Sequence, residues 1–285
     1  MTPDEYCEQK AAQSGSSFYY SFLFLPPPRR RAIIALYAFC REVDDTVDEI
    51  KDPSVARVKL DWWRTELARL ESGTPQHPVT RALLPHVQGF GLTAGRLAEV
   101  VDGMQMDLDQ SRYLDFPALA RYCRRVAGAV GELAADVFGR TRDETLRYAD
   151  RLGLAFQLTN IIRDVGEDAR KGRIYLPVDE LQRFEVKAAE IMRAEHSDRF
   201  VALMRFQAER ARAAYREAFA LLPDADRKAQ RPGLIMASIY LALLDELERD
   251  GFRVLTQRTS LTPVRKLLIA WRTWVTGRVK VPATP

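Results

Sequence analysis

Cysteine and histidine are both scarce in this chain, and their scarcity excludes several classes of site. The three cysteines, Cys7, Cys40 and Cys123, are far apart and odd in number, so the sequence indicates neither a disulfide framework nor a zinc site. The three histidines are isolated, and none has a visible catalytic partner. We therefore expect a protein of the reducing cytoplasm whose histidines form no catalytic site.

Long hydrophobic runs and nucleotide-binding loops are also lacking. The longest nearly apolar stretch, residues 233–244, is shorter than the ~20 residues that a membrane-spanning helix needs. The N-terminal residues contain early acids and no apolar core, so we expect no signal peptide. No P-loop or EF-hand pattern is present, and the glycines of residues 89–95 have a spacing that predicts a helix break instead of a dinucleotide loop.

Helical apolar spacing dominates what is there. The chain has 285 residues, 47% hydrophobic and 29% charged, a composition typical of a soluble globular protein. Its length allows one large domain or two, but no linker, repeat or run of alternating strands divides it. We predict one all-α domain over residues 1–285, with helices over residues 29–50, 54–71, 93–110, 116–138, 142–165, 187–222 and 232–250.

An acidic face stands out on the first long helix, because the chain as a whole carries a net charge of +4. Helical geometry places Tyr37, Arg41, Asp44 and Asp48 on one face. A second face of the helix is apolar and predicts packing against the core: Ile33, Leu36, Cys40, Val43 and Val47. Three further carboxylates point away from the Tyr37 face and are not assigned as ligands: Glu42, Asp45 and Glu49.

A second helix repeats this arrangement. Gln157, Asn160, Asp164 and Asp168 follow one another at helical spacing on one face. An apolar stripe runs beside them: Leu154, Leu158, Ile161 and Val165. We expect Gly166 to end the regular helix before Asp168, so Asp168 is the least secure member of the face.

These faces are consistent with two interpretations, a pair of solvated helix surfaces or a metal–phosphate site. The acids are unusual in a basic chain, their flanks are strongly apolar, and two separate helices carry carboxylates four residues apart. Mg²⁺ takes oxygen ligands, usually a few carboxylates together with waters and substrate phosphates. We therefore favour a site in which facing aspartates hold Mg²⁺ and a diphosphate.

The C-terminal part of the chain is strongly basic. Residues 251–285 contain seven Lys and Arg and no Asp or Glu, and "VRKLLIAWRTWV" interleaves basic with apolar and aromatic residues. This tail, residues 255–285, is consistent with a terminal helix docked on the core or with a surface that contacts anionic lipid. We expect no nucleic-acid binding, because no recognition motif accompanies the charge.

Together the two acidic motifs resemble those of the squalene/phytoene synthase family, the head-to-head prenyl transferases. The pattern Y-x-x-x-R followed by D-x-x-x-D matches residues 37–48, and Q-x-x-N-x-x-x-D-x-x-x-D matches residues 157–168. "YCRRVAGAVGEL" (122–133) resembles the family's central helix, and "GRIYLP" (172–177) resembles the loop after the second motif. The resemblance runs from about Ser16 to about Val254.

The N-terminal stretch "SSFYYSFLFLPPPRRRAIIALYAFCREVDD" is most similar to the bacterial branch that makes presqualene diphosphate in hopanoid biosynthesis. Many carotenoid-branch relatives carry a histidine where Ser14 stands here, and this difference favours the presqualene branch. The eukaryotic squalene synthases add a C-terminal membrane anchor, which this sequence does not show.

The resemblance implies a single isoprenoid-synthase-type helical bundle with a central apolar cavity. It implies Mg²⁺, several ions per site, and two prenyl diphosphate substrates, expected to be farnesyl diphosphate; we do not expect NADPH. The implied metal ligands are Asp44, Asp48, Asn160, Asp164 and Asp168. The implied catalytic residues are Tyr37, Arg41, Tyr122 and Tyr175. The implied substrate-binding residues are Ser17, Phe18, Tyr37, Arg41, Gln157, Arg163, Lys171, Arg173 and Tyr240.

Several functional alternatives stay open at this point. The favoured reaction joins two farnesyl diphosphates head-to-head to presqualene diphosphate and releases diphosphate. The runner-up is a phytoene, dehydrosqualene or complete NADPH-dependent squalene synthase, and the alternative of another class is a non-catalytic helical protein that binds metal or lipid diphosphate. We expect a cytoplasmic location, or peripheral contact with the inner membrane face through the basic tail, and downstream isoprenoid enzymes as partners.

Overall fold

The computed structural model describes residues 1–13, 17–50 and 52–281, and Ser14 lies outside these ranges. The described residues form helices joined by turns and contain no strand, only one isolated bridge between Arg112 and Ile174. The helices are α1 (Pro3–Gln13), α2 (Phe18–Phe22), α3 (Pro27–Asp48), α4 (Pro53–Glu71), α5 (Pro78–Leu83), α6 (Val87–Phe90), α7 (Ala94–Asp109), α8 (Phe116–Cys123), α9 (Ala129–Phe138), α10 (Glu144–Arg170), α11 (Val178–Arg183), α12 (Ala188–Met192), α13 (Asp198–Leu221), α14 (Asp224–Arg227), α15 (Arg231–Arg249) and α16 (Pro263–Thr276). Leu84–His86 forms a 3₁₀ turn and Arg124–Gly128 a π-helical turn.

Helix α3 carries the first acidic face and forms close to where the sequence predicts it. Pro27 occupies its first turn, where a missing N–H costs nothing, and the apolar spacing supplies a buried stripe. Within that stripe Ile33, Leu36, Val43 and Val47 are all at most 5% exposed. Packing therefore fixes the rotation of α3 and decides which way its polar face points.

Helix α10 carries the second acidic face and is longer than the sequence predicts. It runs without a break to Arg170, so the expectation that Gly166 ends the regular helix is wrong, and Asp168 stays on the same face as Asp164. Gly166 has a packing role instead: a Cβ there would lie 2.5 Å from the carbonyl oxygen of Val254 and 2.4 Å from that of Leu255. Only glycine lets the chain after α15 cross α10 this closely.

Two hydrophobic clusters make up the core. One is built around α3, α4 and α7 in the N-terminal half, and the other around α10, α13 and α15. Helix α9 contacts both α3 and α10, so it bridges the two clusters. This arrangement leaves the polar faces of α3 and α10 to line the space between the clusters.

Two predicted helices are interrupted. The helix predicted over residues 187–222 is divided into α12 and α13, because Ala194 adopts a left-handed conformation and the side chain of Ser197 caps α13. The helix predicted over residues 116–138 keeps its direction but contains the π-helical turn Arg124–Gly128, a feature frequently found at functional sites. Short helices in segments without strong apolar spacing were not predicted: α1, α2, α5, α6, α11 and α14.

A buried carboxylate fixes the start of α10. Asp226, which has no exposed surface, accepts hydrogen bonds from the backbone N–H groups of Thr141 and Arg142 and from the hydroxyls of Thr141 and Thr145, at 2.6–3.0 Å. Burial opposes ionisation, but these donors lower the pKa of Asp226 to about 2 from its usual 3.8. The helix that carries the second acidic motif is thus anchored to α14.

Asp226→Asn is expected to lower the free energy of unfolding by about 2–3 kcal/mol, because an amide N–H₂ would face hydrogen-bond donors. A group with a depressed folded pKa stabilises the fold above its unfolded pKa, so its contribution is lost as pH falls from about 4 to about 2. Urea unfolding at several pH values measures both effects. Asp224→Asn, at an exposed position on the same helix, is the matched control. Equal stability of the two variants at pH 7 would contradict the anchoring role.

No helix within the described ranges is both long enough and apolar enough to cross a membrane. The basic C-terminal segment forms α16, which packs against α15 and α2. The segment is thus helical and contacts the rest of the protein, while its contact with lipid stays a prediction.

Candidate active site

An apolar cavity of about 250 Å³ lies between the two core clusters. Its walls come mainly from α3, α9, α10 and α15, including Leu36, Val130, Phe156 and Met236. Part of each polar face predicted on the two motif helices reaches the same space, whereas Asp48, Asp164 and Asp168 are not in its lining. The predicted site residues in its lining are Phe18, Tyr37, Arg41, Asp44, Tyr122, Gln157 and Asn160.

A second cavity, of about 470 Å³, adjoins the first and has a different character. Arg41, Arg163, Arg258 and Lys266 contribute four cationic side chains to its lining, which includes no Asp or Glu among the described residues. The two cavities share four lining residues: Phe18, Tyr37, Arg41 and Asn160. An apolar compartment thus opens beside a cationic one, an arrangement suited to a molecule with a hydrocarbon tail and an anionic head.

Asp44 faces the apolar cavity from α3. Nη1 of Arg41 donates to its Oδ2 at 2.7 Å, and Nη2 of Arg41 reaches Asp45 Oδ1 at 2.8 Å. Lys10 of α1 also pairs with Asp45, at 2.8 Å. Asp45 therefore helps to join α1 to α3, while Asp44 stays available on the face that carries Tyr37.

Asp48 connects the two acidic motifs. Its carboxylate accepts from Nζ of Lys171 at 2.9 Å and from Nη1 of Arg173 at 2.7 Å, both in the loop after α10. Although burial opposes the change, these two cations hold the pKa of Asp48 below its usual value. Lys171 and Arg173, predicted as substrate-binding residues in the loop after the second motif, thus contact a carboxylate of the first motif.

Asp164 contacts two arginines of the cationic cavity, although it is not itself part of the lining of that cavity. Nε of Arg163 donates to its Oδ1 at 2.7 Å, Nη2 of Arg163 contacts its Oδ2, and Nε of Arg258 lies 3.2 Å from Oδ1. Two arginines that line the cavity therefore also contact the second motif. A diphosphate in this cavity would meet arginine N–H donors already oriented by a carboxylate.

Two acids of the motifs, Asp44 and Asp168, have raised pKa values. Burial and the neighbouring charge of Asp48 raise the pKa of Asp44 to about 7, even though Arg41 lies beside it. Burial and the charges of Asp164 and Asp48 likewise raise the pKa of Asp168 to about 7. The carboxylates of the two motifs thus repel one another, and a bound cation would remove that repulsion.

Asn160 supplies a further sign of a cation site. Its Oδ1 is buried and accepts no hydrogen bond from the described part of the protein, and unsatisfied buried acceptors of this kind are costly. Within residues 1–13, 17–50 and 52–281, no three His, Cys, Asp or Glu side chains converge closely enough to enclose a metal alone. Mg²⁺ needs only one or two carboxylates where phosphate oxygens and waters complete its shell, so the donors fit a metal bound together with a diphosphate.

A half-buried carboxylate that was not predicted as a site residue lies on α7. Asp107 accepts from the hydroxyl of Tyr122 at 2.9 Å and from that of Tyr175 at 2.8 Å, one to each carboxylate oxygen. The rings of Tyr113, Tyr122 and Tyr175 stack beside it with centroids 5.3–5.9 Å apart. Burial raises the pKa of Asp107 to about 6 despite these donors.

Aromatic rings separate the two cavities. Phe18 packs with Tyr37, Phe156 and Tyr240 at centroid distances of 5.9–6.2 Å. Tyr240 is only 4% exposed and lines the cationic cavity, as does Ser17. The predicted Ser17–Phe18 pair therefore lies where the apolar and cationic compartments meet.

Arg258 and Lys266 are also cavity residues that the sequence analysis did not single out. Both belong to the basic C-terminal segment, which the sequence alone favours as a surface. Little in the sequence indicated that Arg258 and Lys266 are site residues, because basic residues are frequent in this segment and nothing local distinguishes these two. Asp107 had a clearer signal, since helical spacing places it on the face of α7 that carries Val100 and Met104 into the apolar cavity.

A profile of the family described as "Squalene/phytoene synthase" matches residues 11–265. The chain belongs to this family. It is 37% identical over 281 residues to the phytoene synthase of Arthrospira platensis, covering 93% of this chain and 90% of that protein. It is 34% identical over 287 residues to the 15-cis-phytoene synthase of Synechocystis sp., covering 96% and 85%.

Solved structures give the same family and fold. A dehydrosqualene synthase in complex with ligand superposes with a TM-score of 0.82 at 29% identity, covering 95% of this chain and 94% of that one. Squalene synthase HpnC from Alicyclobacillus acidocaldarius gives a TM-score of 0.75 at 28% identity, covering 88% and 94%. The predicted family and all-α isoprenoid-synthase fold are confirmed. The chain is an enzyme of the prenyltransferase type, so the non-catalytic alternative is set aside.

Proposed function

We propose that this enzyme condenses two farnesyl diphosphates head-to-head to presqualene diphosphate and releases diphosphate. The observation that carries the proposal is that the polar faces of α3 and α10 meet where an apolar cavity adjoins a cationic one: Asp44 lines the first, Asn160 lines both, and Asp164 contacts two arginines of the second. Hydrocarbon tails would occupy the first cavity and diphosphates the second. Family membership supports substrates of this class.

The cationic side chains are proposed to bind the diphosphates. Arg41, Arg163 and Lys266 line the cavity and would donate charge-assisted hydrogen bonds to phosphate oxygens. Lys171 and Arg173 now pair with Asp48 and would exchange that carboxylate for a bound diphosphate, closing the loop after α10 over it. Gln157, in the lining of the apolar cavity, and Ser17, in the lining of the cationic cavity, are proposed to orient the substrate.

Asp44, Asp48, Asn160, Asp164 and Asp168 are the proposed Mg²⁺ ligands. Bound there, Mg²⁺ would neutralise the charge that develops on the leaving diphosphate. The raised pKa values of Asp44 and Asp168, and the unsatisfied oxygen of Asn160, support this assignment. The aspartates would bind and orient, and none is proposed as a nucleophile.

The proposed reaction proceeds through an allylic cation. The C1–O bond of one substrate breaks and leaves an allylic cation, and the double bond of the second substrate attacks that C1. Loss of a proton from the same carbon then closes a cyclopropane ring, while the second diphosphate is retained. Tyr122 or Tyr175 is proposed to accept this proton while passing its own hydroxyl proton to Asp107, and the released diphosphate is the other candidate for the base.

Tyr37 and Tyr240, which frame the boundary between the cavities, are proposed to stabilise the cation. Aromatic faces attract cations. The apolar wall formed with Phe18 would also keep water from quenching the allylic cation. The same aromatic and apolar surface is thus proposed both to bind the prenyl chains and to protect the allylic cation from water.

A second candidate function is phytoene or dehydrosqualene synthesis, which continues beyond a cyclopropyl diphosphate. The identities of 34–37% with phytoene synthases and the TM-score of 0.82 with a dehydrosqualene synthase favour it. A complete squalene synthase would in addition need NADPH as reductant. Ser14 is the sequence feature that favours the presqualene branch, and it lies outside the described residues.

Product analysis decides between these functions. Purified enzyme is incubated with Mg²⁺ and farnesyl or geranylgeranyl diphosphate, with and without NADPH, and products are identified by mass spectrometry. We expect presqualene diphosphate from farnesyl diphosphate, unchanged by NADPH. A C40 hydrocarbon from geranylgeranyl diphosphate would establish phytoene synthesis, and a C30 hydrocarbon formed without NADPH would establish dehydrosqualene synthesis. Failure to release diphosphate from either substrate would contradict the proposed reaction. The cytoplasmic location and the downstream partner enzymes stay predictions.

A further inference from the structure

Helix α16 exposes its apolar stripe to solvent. Val264, Leu267, Leu268, Trp271 and Val275 are 48–68% exposed and share one side of the helix at spacings of three and four residues. The apolar stripe of a docked helix normally faces the core. A continuous apolar surface of this kind marks an interaction site.

The protein-facing side of α16 is already filled. Ala270 is fully buried, and the hydroxyl of Thr273 donates to Ser238 of α15 at 3.0 Å. Trp274 stacks on Phe24 with ring centroids 5.1 Å apart. The helix is therefore held by contacts on its other side, and the apolar stripe is not needed to dock it.

Positive charge surrounds the stripe. Arg272 lies beside it on the helix, Arg278 and Lys280 follow, and residues 251–285 contain no acid; Arg265 also lies beside the stripe but pairs with Glu246 of α15 at 2.7 Å. A second copy of this chain would bring like charges together, and five side chains on one helix offer less than the ~800 Å² that a stable protein interface takes from each partner. Aromatic and aliphatic side chains with a basic rim instead match a bilayer that carries anionic headgroups.

We infer that α16 docks this enzyme on the surface of an anionic lipid bilayer, with Leu267, Leu268 and Trp271 inserted at the headgroup boundary. The docking also orients the site, because Lys266 of the same helix and Arg258 before it line the cationic cavity. The stripe and the cavity lie on opposite sides of α16, so binding through the stripe would fix the orientation of the cavity relative to the bilayer. The inference rests on the surface of α16 and not on which product is formed.

The test uses the full chain and vesicles of phosphatidylcholine with about 30 mol% phosphatidylglycerol, measured by co-sedimentation. The double variant L268E/W271E is expected to weaken binding at least about tenfold, since two inserted side chains become anionic. The matched control, V55E/V58E, changes two apolar residues of α4 that are 52% and 70% exposed, and it should bind within about twofold of the unchanged protein. Circular dichroism establishes that both variants fold.

Three outcomes would overturn the inference. L268E/W271E could bind as tightly as the control, or the unchanged protein could bind pure phosphatidylcholine as tightly as anionic vesicles. Sedimentation equilibrium could instead show a dimer that L268E/W271E converts to a monomer, with no vesicle binding, which would make the stripe a self-association surface. Turnover of farnesyl diphosphate without vesicles is measured separately, and its absence would count against the proposed reaction while leaving the docking result unaffected.

Discussion

Asp44→Asn and Asp164→Asn are each expected to lower the turnover of farnesyl diphosphate by about 10²–10³-fold while the helical fold stays intact. The two residues belong to different helices, and each is proposed to hold Mg²⁺ against the substrate diphosphate. Asparagine keeps the size and one oxygen of the side chain but loses the charge. The loss should therefore appear in chemistry and in the Mg²⁺ concentration needed for half-maximal turnover.

The fold is expected to tolerate Asp44→Asn particularly well. Burial and Asp48 raise the pKa of Asp44 to about 7, so the charged form is already opposed in the absence of a ligand. Removing that charge relieves repulsion, and the melting temperature should not fall by more than a few degrees. Asp61→Asn, an exposed aspartate paired with Arg64 on α4, is the control for a lost surface charge. Near-normal turnover in both Asp44→Asn and Asp164→Asn would rule out the proposed metal role.

Local helix geometry explains why much of this site could be predicted. The face of α3 and the face of α10 follow from spacing alone, and burial of the neighbouring apolar stripes confirms the rotation of both helices. Leu158, Ile161 and Val165 are 2–4% exposed, whereas Asp164 and Asp168, beside them on the helix, are only partly buried. The spacing of residues within one helix does not predict which part of the protein its polar face contacts, because the cavity between the helices depends on how the two core clusters pack.

Gly166 shows where a local rule gave a wrong answer. Glycine commonly ends helices, and the sequence offers no sign that another segment crosses at this position. In the structure the chain at Val254 and Leu255 packs on Gly166, and the same crossing places Arg258 at Asp164. The helix boundary and the unpredicted arginine thus have one cause, a contact between segments about 90 residues apart.

Asp107 shows a different limit. Its position on the cavity face of α7 was visible, but its partners Tyr122 and Tyr175 are 15 and 68 residues away in sequence. Both tyrosines were predicted as site residues without any group to orient them. Only the fold reveals that one carboxylate holds both hydroxyls.

Asp107→Asn is therefore expected to separate ionisation from ring closure. The asparagine oxygen can accept from one tyrosine, but its N–H₂ group turns the other hydroxyl away and cannot take up a proton, so the proposed relay through Tyr122 or Tyr175 is interrupted. Diphosphate release should continue at a reduced rate, while the cyclopropyl product formed per diphosphate released falls about tenfold. Water-quenched prenyl alcohol should account for the difference.

The readout is the ratio of cyclopropyl product to diphosphate, which loss of folded protein would leave unchanged. Asp102→Asn, one turn earlier on α7 and paired with Arg64 at the surface, is the matched control and should keep the original ratio. Combining Asp107→Asn with Tyr122→Phe should add little to either single change if the two groups act as one unit. An unchanged ratio in Asp107→Asn would limit Asp107 to supporting the fold and would make the released diphosphate the favoured base.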